Sequence, residues 1–122
     1  YYGKLDSNGL LSRRHLELST QGGVMPIDAH LFDEDALIIE EEQTKTISLA
    51  GPDKKAYVTV KFDMPLAGIW SPAGKNAPFV CIEPWCGRCD ADNFSGTLAD
   101  RQYGNALEPD DVFEKDYEII IR

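Results

Sequence analysis

The sequence predicts an all-β domain with the architecture of a β-sandwich. Several short segments have the composition of strands, turn-forming residues recur between them, and no long amphipathic helix is visible. A chain of 122 residues is long enough for one domain and short for two. We therefore expect residues 1–122 to form a single β domain.

The clearest strand is residues 56–62, in which Val58, Val60 and Phe62 line one face. Two short strands are expected on either side of a turn at Ser7-Asn8-Gly9. Short helical turns are expected only at 26–32 and around 98–103. The remaining predicted strands are residues 36–40, 66–71, 78–85 and 116–122, and residues 44–50 form a further segment before the turn at Gly51-Pro52-Asp53.

The charge of the chain limits its partners. The net charge is −9, and the basic residues are scattered along the sequence. Phosphate recognition needs clustered Lys and Arg, so nucleic acid is not an expected partner. No apolar run approaches the ~20 residues of a membrane-spanning helix, so no membrane partner is expected.

The cysteines are predicted to be free thiols. Their number, three, is odd, which fits a reducing compartment and predicts a cytoplasmic protein. Cys86 and Cys89 have the C-x-x-C spacing of zinc sites and redox pairs, but the sequence has no second such pair to complete four zinc ligands. The residues after Cys89 have the composition of a loop, whereas a thioredoxin-like motif opens a helix. We expect neither a bound metal nor a cofactor.

The segment 77–90, Ala-Pro-Phe-Val-Cys-Ile-Glu-Pro-Trp-Cys-Gly-Arg-Cys-Asp, contains a carboxylate inside an apolar run. Side chains alternate faces along a strand, so Glu83 shares a face with Phe79, Cys81 and Trp85. An unpaired charge among such neighbours is costly. Two interpretations are open: a functional carboxylate, or a strand-end Glu that reaches water or pairs with Lys or Arg.

The same region contains side chains suited to sugars. Trp70 and Trp85 offer flat apolar faces that can stack on a sugar ring. Hydrogen bonds to sugar hydroxyls could come from several charged residues, namely Asp33, Asp35, Asp90, Asp92 and Arg88. The alternative is that both tryptophans belong to the core and that the aspartates are solvated loop charges.

A family resemblance favours the functional interpretation. The string Pro-Phe-Val-Cys-Ile-Glu-Pro-Trp-x-Gly-Arg-x-Asp, preceded by Leu-Ala-Gly-Ile-Trp-Ser and followed by Leu-Glu-Pro-x-x-x-Phe, resembles the C-terminal part of the aldose 1-epimerase (galactose mutarotase-like) family. Residues 31–39 resemble the Leu-Phe-x-x-Asp-Ala-Leu-Ile element of its LacX-type branch. Family members are considerably longer, and this sequence does not begin with Met. The resemblance therefore implies the C-terminal part of a larger β-supersandwich domain, with the missing N-terminal part as a partner.

The resemblance implies an enzyme, an isomerase that interconverts the α and β anomers of an aldose. A glutamate of the family removes the C1 hydroxyl proton while a histidine protonates the ring oxygen; the ring opens and closes as the other anomer. By its position in Cys-Ile-Glu-Pro-Trp, Glu83 matches the catalytic base, a role that suits a carboxylate beside apolar rings. Asp35 is the best match to the substrate-binding aspartate, and Asp33 is the second choice. Trp70, Trp85 and Arg88 complete the predicted contacts to a monosaccharide or related sugar.

The sequence departs from the family in two respects. The active-site histidines of the family come from an upstream region, and neither His15 nor His30 lies in a matching motif. Cys86 stands where relatives carry an aromatic residue. An alternative function is therefore a non-catalytic β-sandwich that binds carbohydrate or serves as a scaffold.

Overall fold

The structure, a computed structural model, describes all residues from Tyr1 to Arg122. Eight strands form two antiparallel sheets, and the helical structure is limited to one 3-10 turn at Leu98–Asp100. This confirms the predicted all-β sandwich. The strands are β1 (Tyr2–Leu5), β2 (Leu11–Leu16), β3 (Leu37–Ile39), β4 (Thr46–Ala50), β5 (Ala56–Phe62), β6 (Leu66–Trp70), β7 (Cys81–Trp85) and β8 (Tyr117–Ile121).

The two sheets differ in size. The larger has five strands in the order β2-β1-β3-β6-β7, and the smaller has three in the order β4-β5-β8. In the larger sheet, Ile38 of β3 lies in register with Gly68 of β6, which in turn lies in register with Glu83 of β7. Strand β7 is therefore an edge strand, and Glu83 lies two strands away from β3.

The inner faces of the sheets form the sandwich core. On the larger sheet the buried side chains are Leu37, Ile39 and Ile69, packed with Phe32. On the smaller sheet they belong to a second cluster that includes Val60, Phe62 and Met64. Ile47 of β4 packs against both clusters and so joins the two layers.

The outer face of the larger sheet has its own apolar cluster, formed by Leu11, Ala36 and Ile38, against which Trp70 and Trp85 pack. The loop after β7 is fixed at the opposite edge of the sheet. Its backbone pairs with the first residue of β2, because the Leu11 N–H donates to the Asp90 carbonyl at 2.9 Å and the Asp92 N–H donates to the Leu11 carbonyl at 2.9 Å. The loop therefore spans from one edge of the sheet to the other.

Most predicted strands are confirmed, some with shorter bounds. Strand 56–62 has the predicted limits, whereas the predicted strand 78–85 begins only at Cys81. The edge position of β7 explains how it accommodates Pro84, which has no N–H to donate on the outer side. The helical turn expected at 26–32 is wrong: residues 29–34 form consecutive turns instead. No helix in the chain has the length and apolarity to cross a membrane.

Candidate functional site

Strand β7 places Glu83 on the outer face of the larger sheet. The cross-strand pairs are Trp70 with Cys81 and Gly68 with Glu83. Ile82, between them, points to the inner core and packs against the cluster of the smaller sheet. The predicted alternation is therefore confirmed: the carboxylate shares its face with Cys81, Trp85 and the indole of Trp70.

The Glu83 carboxylate is half-buried and accepts a hydrogen bond from a neighbouring indole. The indole Nε1–H of Trp85 donates to Glu83 Oε2 at 3.2 Å. None of the ion pairs of the chain includes Glu83. Of the interpretations considered from the sequence, a salt bridge is thus excluded, and a functional carboxylate and a strand-end Glu that reaches water stay open.

Cys81 lies beside Glu83 on the same strand face. Burial, then the negative charge of the Glu83 carboxylate and a side-chain hydrogen bond to it, raises the pKa of the Cys81 thiol. This thiol therefore remains protonated near neutral pH. Because the nucleophilic form of a cysteine is the thiolate, Cys81 is a poor nucleophile at that pH. All three cysteines are free thiols in the structure.

Trp70 and Trp85 are both half-buried, at different ends of this surface. The Trp70 ring is tilted against Phe79, with ring centroids 6.5 Å apart. Trp85 lies across Gly68, where a Cβ atom would come within 2.5 Å of Cζ2 of the indole. Each tryptophan is thus partly packed into the protein and partly exposed, so neither is only a core residue or only a surface for sugar stacking.

Arg88 lies in a buried ion pair. Its Nε donates to Glu40 Oε1 at 2.5 Å, and the side chains of Arg88 and Glu40 are only 4% and 7% exposed. Its other nitrogens donate to the Cys89 carbonyl and to Gln102, while the guanidinium lies 5.3 Å from the ring centroid of Tyr103. These contacts join the end of β3 to the loop after β7.

Two of the aspartates considered for sugar contacts are also paired. Arg101 donates to Asp90 at 2.7 Å and to the Arg88 carbonyl at 3.0 Å. Arg13 lies 3.2 Å from Asp92. The geometry of Asp90, Asp92 and Arg88 is that of a network that holds the loop in place.

Asp33 and Asp35 have different surroundings. Asp33 accepts a hydrogen bond from His30 Nδ1 at 2.8 Å, and this bond raises the pKa of His30. Asp35 is exposed, adopts a left-handed φ of 68°, and uses one carboxylate oxygen to accept the Ala36 N–H at 2.7 Å. The other oxygen of Asp35 has no partner within the chain, so Asp35 is the better placed of the two to bind a ligand.

The sheet register gives the separation of strands β3 and β7. Asp35 precedes Ile38 by three residues, and Ile38 is two strands from Glu83 in register. Asp35 itself lies two residues before β3 and has a left-handed φ, so the register applies to the strands: with about 4.8 Å between neighbours, β3 and β7 are roughly 10 Å apart. Trp70 is the last residue of the intervening strand β6.

Neither main cleft of the chain contains Glu83. The larger has a volume of about 410 Å³ and lies between the 27–32 turns and the 71–80 loop, with Phe79 on one wall. The smaller, of about 270 Å³, is lined mainly by polar residues, among them Lys45 and Asp63. Glu83 lies outside both of these clefts.

Sequence reasoning missed Glu40 and Gly68. Glu40 lies two residues after Ile38 and therefore on the same strand face as that buried residue. A charge at such a position indicates a buried partner of opposite charge, but that partner, Arg88, is remote in sequence. Gly68 inside a predicted strand signals the close approach of another group, here the Trp85 indole.

The all-β sandwich with this site on its outer sheet face defines a galactose mutarotase-like β-sandwich. The X-ray structure of a galactose mutarotase related enzyme from Lactobacillus acidophilus superposes with a TM-score of 0.82 and 29% sequence identity, covering 99% of this chain and 41% of that one.

The chain is also similar to two curated proteins, the chromosomal and the plasmid LacX proteins of Lactococcus lactis subsp. lactis. Each is 28% identical over 98 residues, which is 80% of this chain and 32% of the LacX length. No protein-family model matches the chain. The fold and the sequence similarity together support an aldose 1-epimerase-like family, with this chain as its C-terminal portion, and confirm the resemblance noted from the motifs.

Proposed function

We propose that the protein containing this chain is an aldose 1-epimerase that interconverts the α and β anomers of a sugar, with Glu83 as the general base. The observation that carries the proposal is the carboxylate itself: Glu83 is half-buried beside Trp85, has no ion-pair partner, and shares the outer sheet face with Trp70. In the proposed reaction Glu83 takes the proton of the C1 hydroxyl, a general acid gives a proton to the ring oxygen, and the bond from C1 to that oxygen breaks. The aldehyde end then rotates; on closure the former ring oxygen attacks C1 and returns its proton to the acid, while Glu83 returns its proton to the C1 oxygen.

The proposed substrate contacts are Asp35, just before β3, and Trp70, at the end of β6. Asp35 offers an unpartnered carboxylate oxygen for sugar hydroxyls. Trp70, on the strand between Asp35 and Glu83, offers the apolar surface on which a sugar ring stacks. Arg88, although predicted to contact the sugar, is 4% exposed and bonded to Glu40, so its contribution is to hold the loop beside Trp85.

The general acid is proposed to come from another part of the same protein. His15 stacks on Tyr1 with ring centroids 4.8 Å apart, and His30 is bonded to Asp33. His15 lies in the same register row of the larger sheet as Glu83 but four strand spacings away, roughly 19 Å, which is too far for it to act on the same sugar atom. The chain spans only about a third of the LacX proteins that it matches, and 41% of the Lactobacillus structure. The missing N-terminal part of the domain is thus the proposed partner that supplies the acid.

Exposed apolar residues support this partner. Tyr117, Ile119 and Ile121 of β8 are 57%, 56% and 80% exposed, and they lie in register with Phe62, Val60 and Val58, on the core-facing side of the smaller sheet. Apolar side chains on that side belong in a sandwich core. The larger domain would bury them. A cytoplasmic location stays a prediction from the cysteine content.

The experiment is polarimetry of freshly dissolved α-glucose or α-galactose with the protein that carries this chain. A general base contributes roughly 10²–10⁴-fold, so Glu83→Gln should lower kcat by about that factor with KM little changed. Asp35→Asn should mainly raise KM. The matched control is Glu118→Gln, which alters an exposed strand carboxylate outside the site. Near-normal mutarotation by Glu83→Gln refutes the base, and sugar binding without any mutarotation by the unsubstituted protein favours the carbohydrate-binding alternative.

A further inference from the structure

We propose that Trp85 is a positioning residue, whose indole N–H holds the Glu83 carboxylate in the orientation that proton transfer requires. This rests on the proposed function, since it gives Trp85 a task toward the same base. It differs from the stacking role predicted from the sequence, because the N–H edge of the indole rather than its face makes the contact. The contact is the 3.2 Å hydrogen bond from Trp85 Nε1 to Glu83 Oε2.

The chemistry of the pair suits this role. An indole nitrogen donates and cannot accept, so Trp85 Nε1 can only face an acceptor, and Glu83 is the acceptor it has. A hydrogen bond to a charged carboxylate is stronger than one between neutral groups. It fixes Oε2 and with it the orientation in which the carboxylate meets the proton of the substrate.

The indole is itself held in place. Trp85 packs against the outer cluster of Leu11, Ala36 and Ile38, which restricts its rotation. Across the strand, Gly68 lies in register with Glu83 and leaves space for the ring. A Cβ at Gly68 would lie 2.5 Å from Cζ2 and 2.8 Å from Cη2 of Trp85, so any larger residue there displaces the indole. Gly68 therefore helps to position the Trp85 indole, because only a residue without a side chain leaves room for the ring.

Other titratable groups near the pair are few. Cys81 lies on the other side of Glu83 on the same face, and Cys89 packs against the same apolar cluster as Trp85. Glu40 and Arg88 are bonded to each other in the adjoining loop. An effect of pH on the Trp85 N–H that survives substitution of Cys81 is therefore assigned to Glu83.

The first test observes the contact without activity. The chain contains two tryptophans, so a ¹H–¹⁵N spectrum of the whole protein has two indole signals from this part, which Trp70→Phe and Trp85→Phe assign. The Trp85 signal should move with pH as Glu83 is protonated, and Glu83→Gln should abolish that movement. Cys81→Ser should leave it in place. A Trp85 signal that does not respond to pH, or that responds equally in Glu83→Gln, overturns the proposal.

The second test measures the consequence in the mutarotation assay. Trp85→Phe keeps a flat ring and removes the N–H. Because the lost hydrogen bond is to a charged group, kcat should fall roughly ten- to hundred-fold. KM should change little. Gly68→Ala should give a similar fall, and the double variant should lose no more than the worse single one.

The outcomes separate the possible roles of Trp85. If Trp85 were a stacking platform, Trp85→Phe would retain kcat, and Trp85→Leu would raise KM; that result overturns the proposal. If the unsubstituted protein shows no mutarotation while the Trp85 signal still titrates with Glu83, the contact is established and the proposed reaction is what fails.

Discussion

Removing one member of the buried pair of Glu40 and Arg88 should destabilise the chain more than breaking any other of its ion pairs. The test substitution is Arg88→Met, which keeps an apolar stem of similar length and removes the charge. Glu40, with its side chain 7% exposed, would then be a buried carboxylate without its partner. Breaking a buried pair by removing one member costs about 3–5 kcal/mol, because the remaining charge is uncompensated.

The other contacts of Arg88 add to this loss. Its Nη1 donates to the Cys89 carbonyl at 2.9 Å, and a second donor reaches Gln102. Each ordinary hydrogen bond adds on the order of 1 kcal/mol. For a domain of this size, 1 kcal/mol lowers the melting temperature by roughly 3–5 °C, so Arg88→Met should lower it by at least about 10 °C.

The assay is guanidinium unfolding followed by circular dichroism. The matched control is Glu118→Gln, which breaks the pair of Lys61 and Glu118, 3.6 Å apart and more than half exposed on both sides. Exposed pairs contribute about 0–1 kcal/mol, so this variant should unfold almost as the unsubstituted protein does. The double variant Glu40→Leu/Arg88→Met should lose less stability than Arg88→Met alone, because it leaves no unpaired charge.

Two results would refute this reasoning. One is an unfolding midpoint for Arg88→Met that equals that of Glu118→Gln. The other is a double variant that is less stable than either single variant. If Arg88→Met leaves stability unchanged but weakens sugar binding, Arg88 contacts the substrate as the sequence predicted, and the ion pair is incidental.

Two further predictions concern titratable groups. The hydrogen bond from His30 to Asp33 raises the pKa of His30 above its usual 6.5. NMR titration of His30 should therefore give a midpoint above 6.5, and Asp33→Asn should lower that midpoint. The pair contributes its full stabilisation below pH 6.5 and loses it as the pH rises through the pKa of His30 in the folded protein. Because burial and then the Glu83 charge raise the pKa of Cys81, alkylation of this thiol at pH 8 should be slow and should accelerate in Glu83→Gln; an unchanged rate would show that Glu83 does not act on Cys81.

The sheet structure could be predicted because it depends on local alternation. Val58, Val60 and Phe62 repeat at a period of two, and the strand that contains them has the predicted bounds. The start of β7 could not be placed. Phe79 and Val80 have the composition of a strand, but the Phe79 carbonyl accepts the Ser71 hydroxyl at 2.8 Å instead of joining the ladder.

Of the candidate site, only the features that lie on a single strand could be predicted from the sequence. The face shared by Glu83 and Trp85 follows from strand alternation. The role of Arg88 does not, because Glu40 is 48 residues away and meets it only when β3 and the loop after β7 come together. Motif resemblance identifies Arg88 as important, and the contacts show which task it performs in this chain.

If Glu83 is the proposed base, the arrangement of this chain indicates that the acid comes from another part of the same protein. Glu83 is held from within this chain, by β6 on one side and by the Trp85 indole, itself seated on Gly68. The outer side of β7 is a sheet edge, and Glu83 lies in neither of the two clefts described above. Water weakens the electrostatic interactions on which acid–base catalysis depends. We therefore expect a catalytic site here to need a further wall over this face, and the segment that supplies that wall is the expected source of the proton donor.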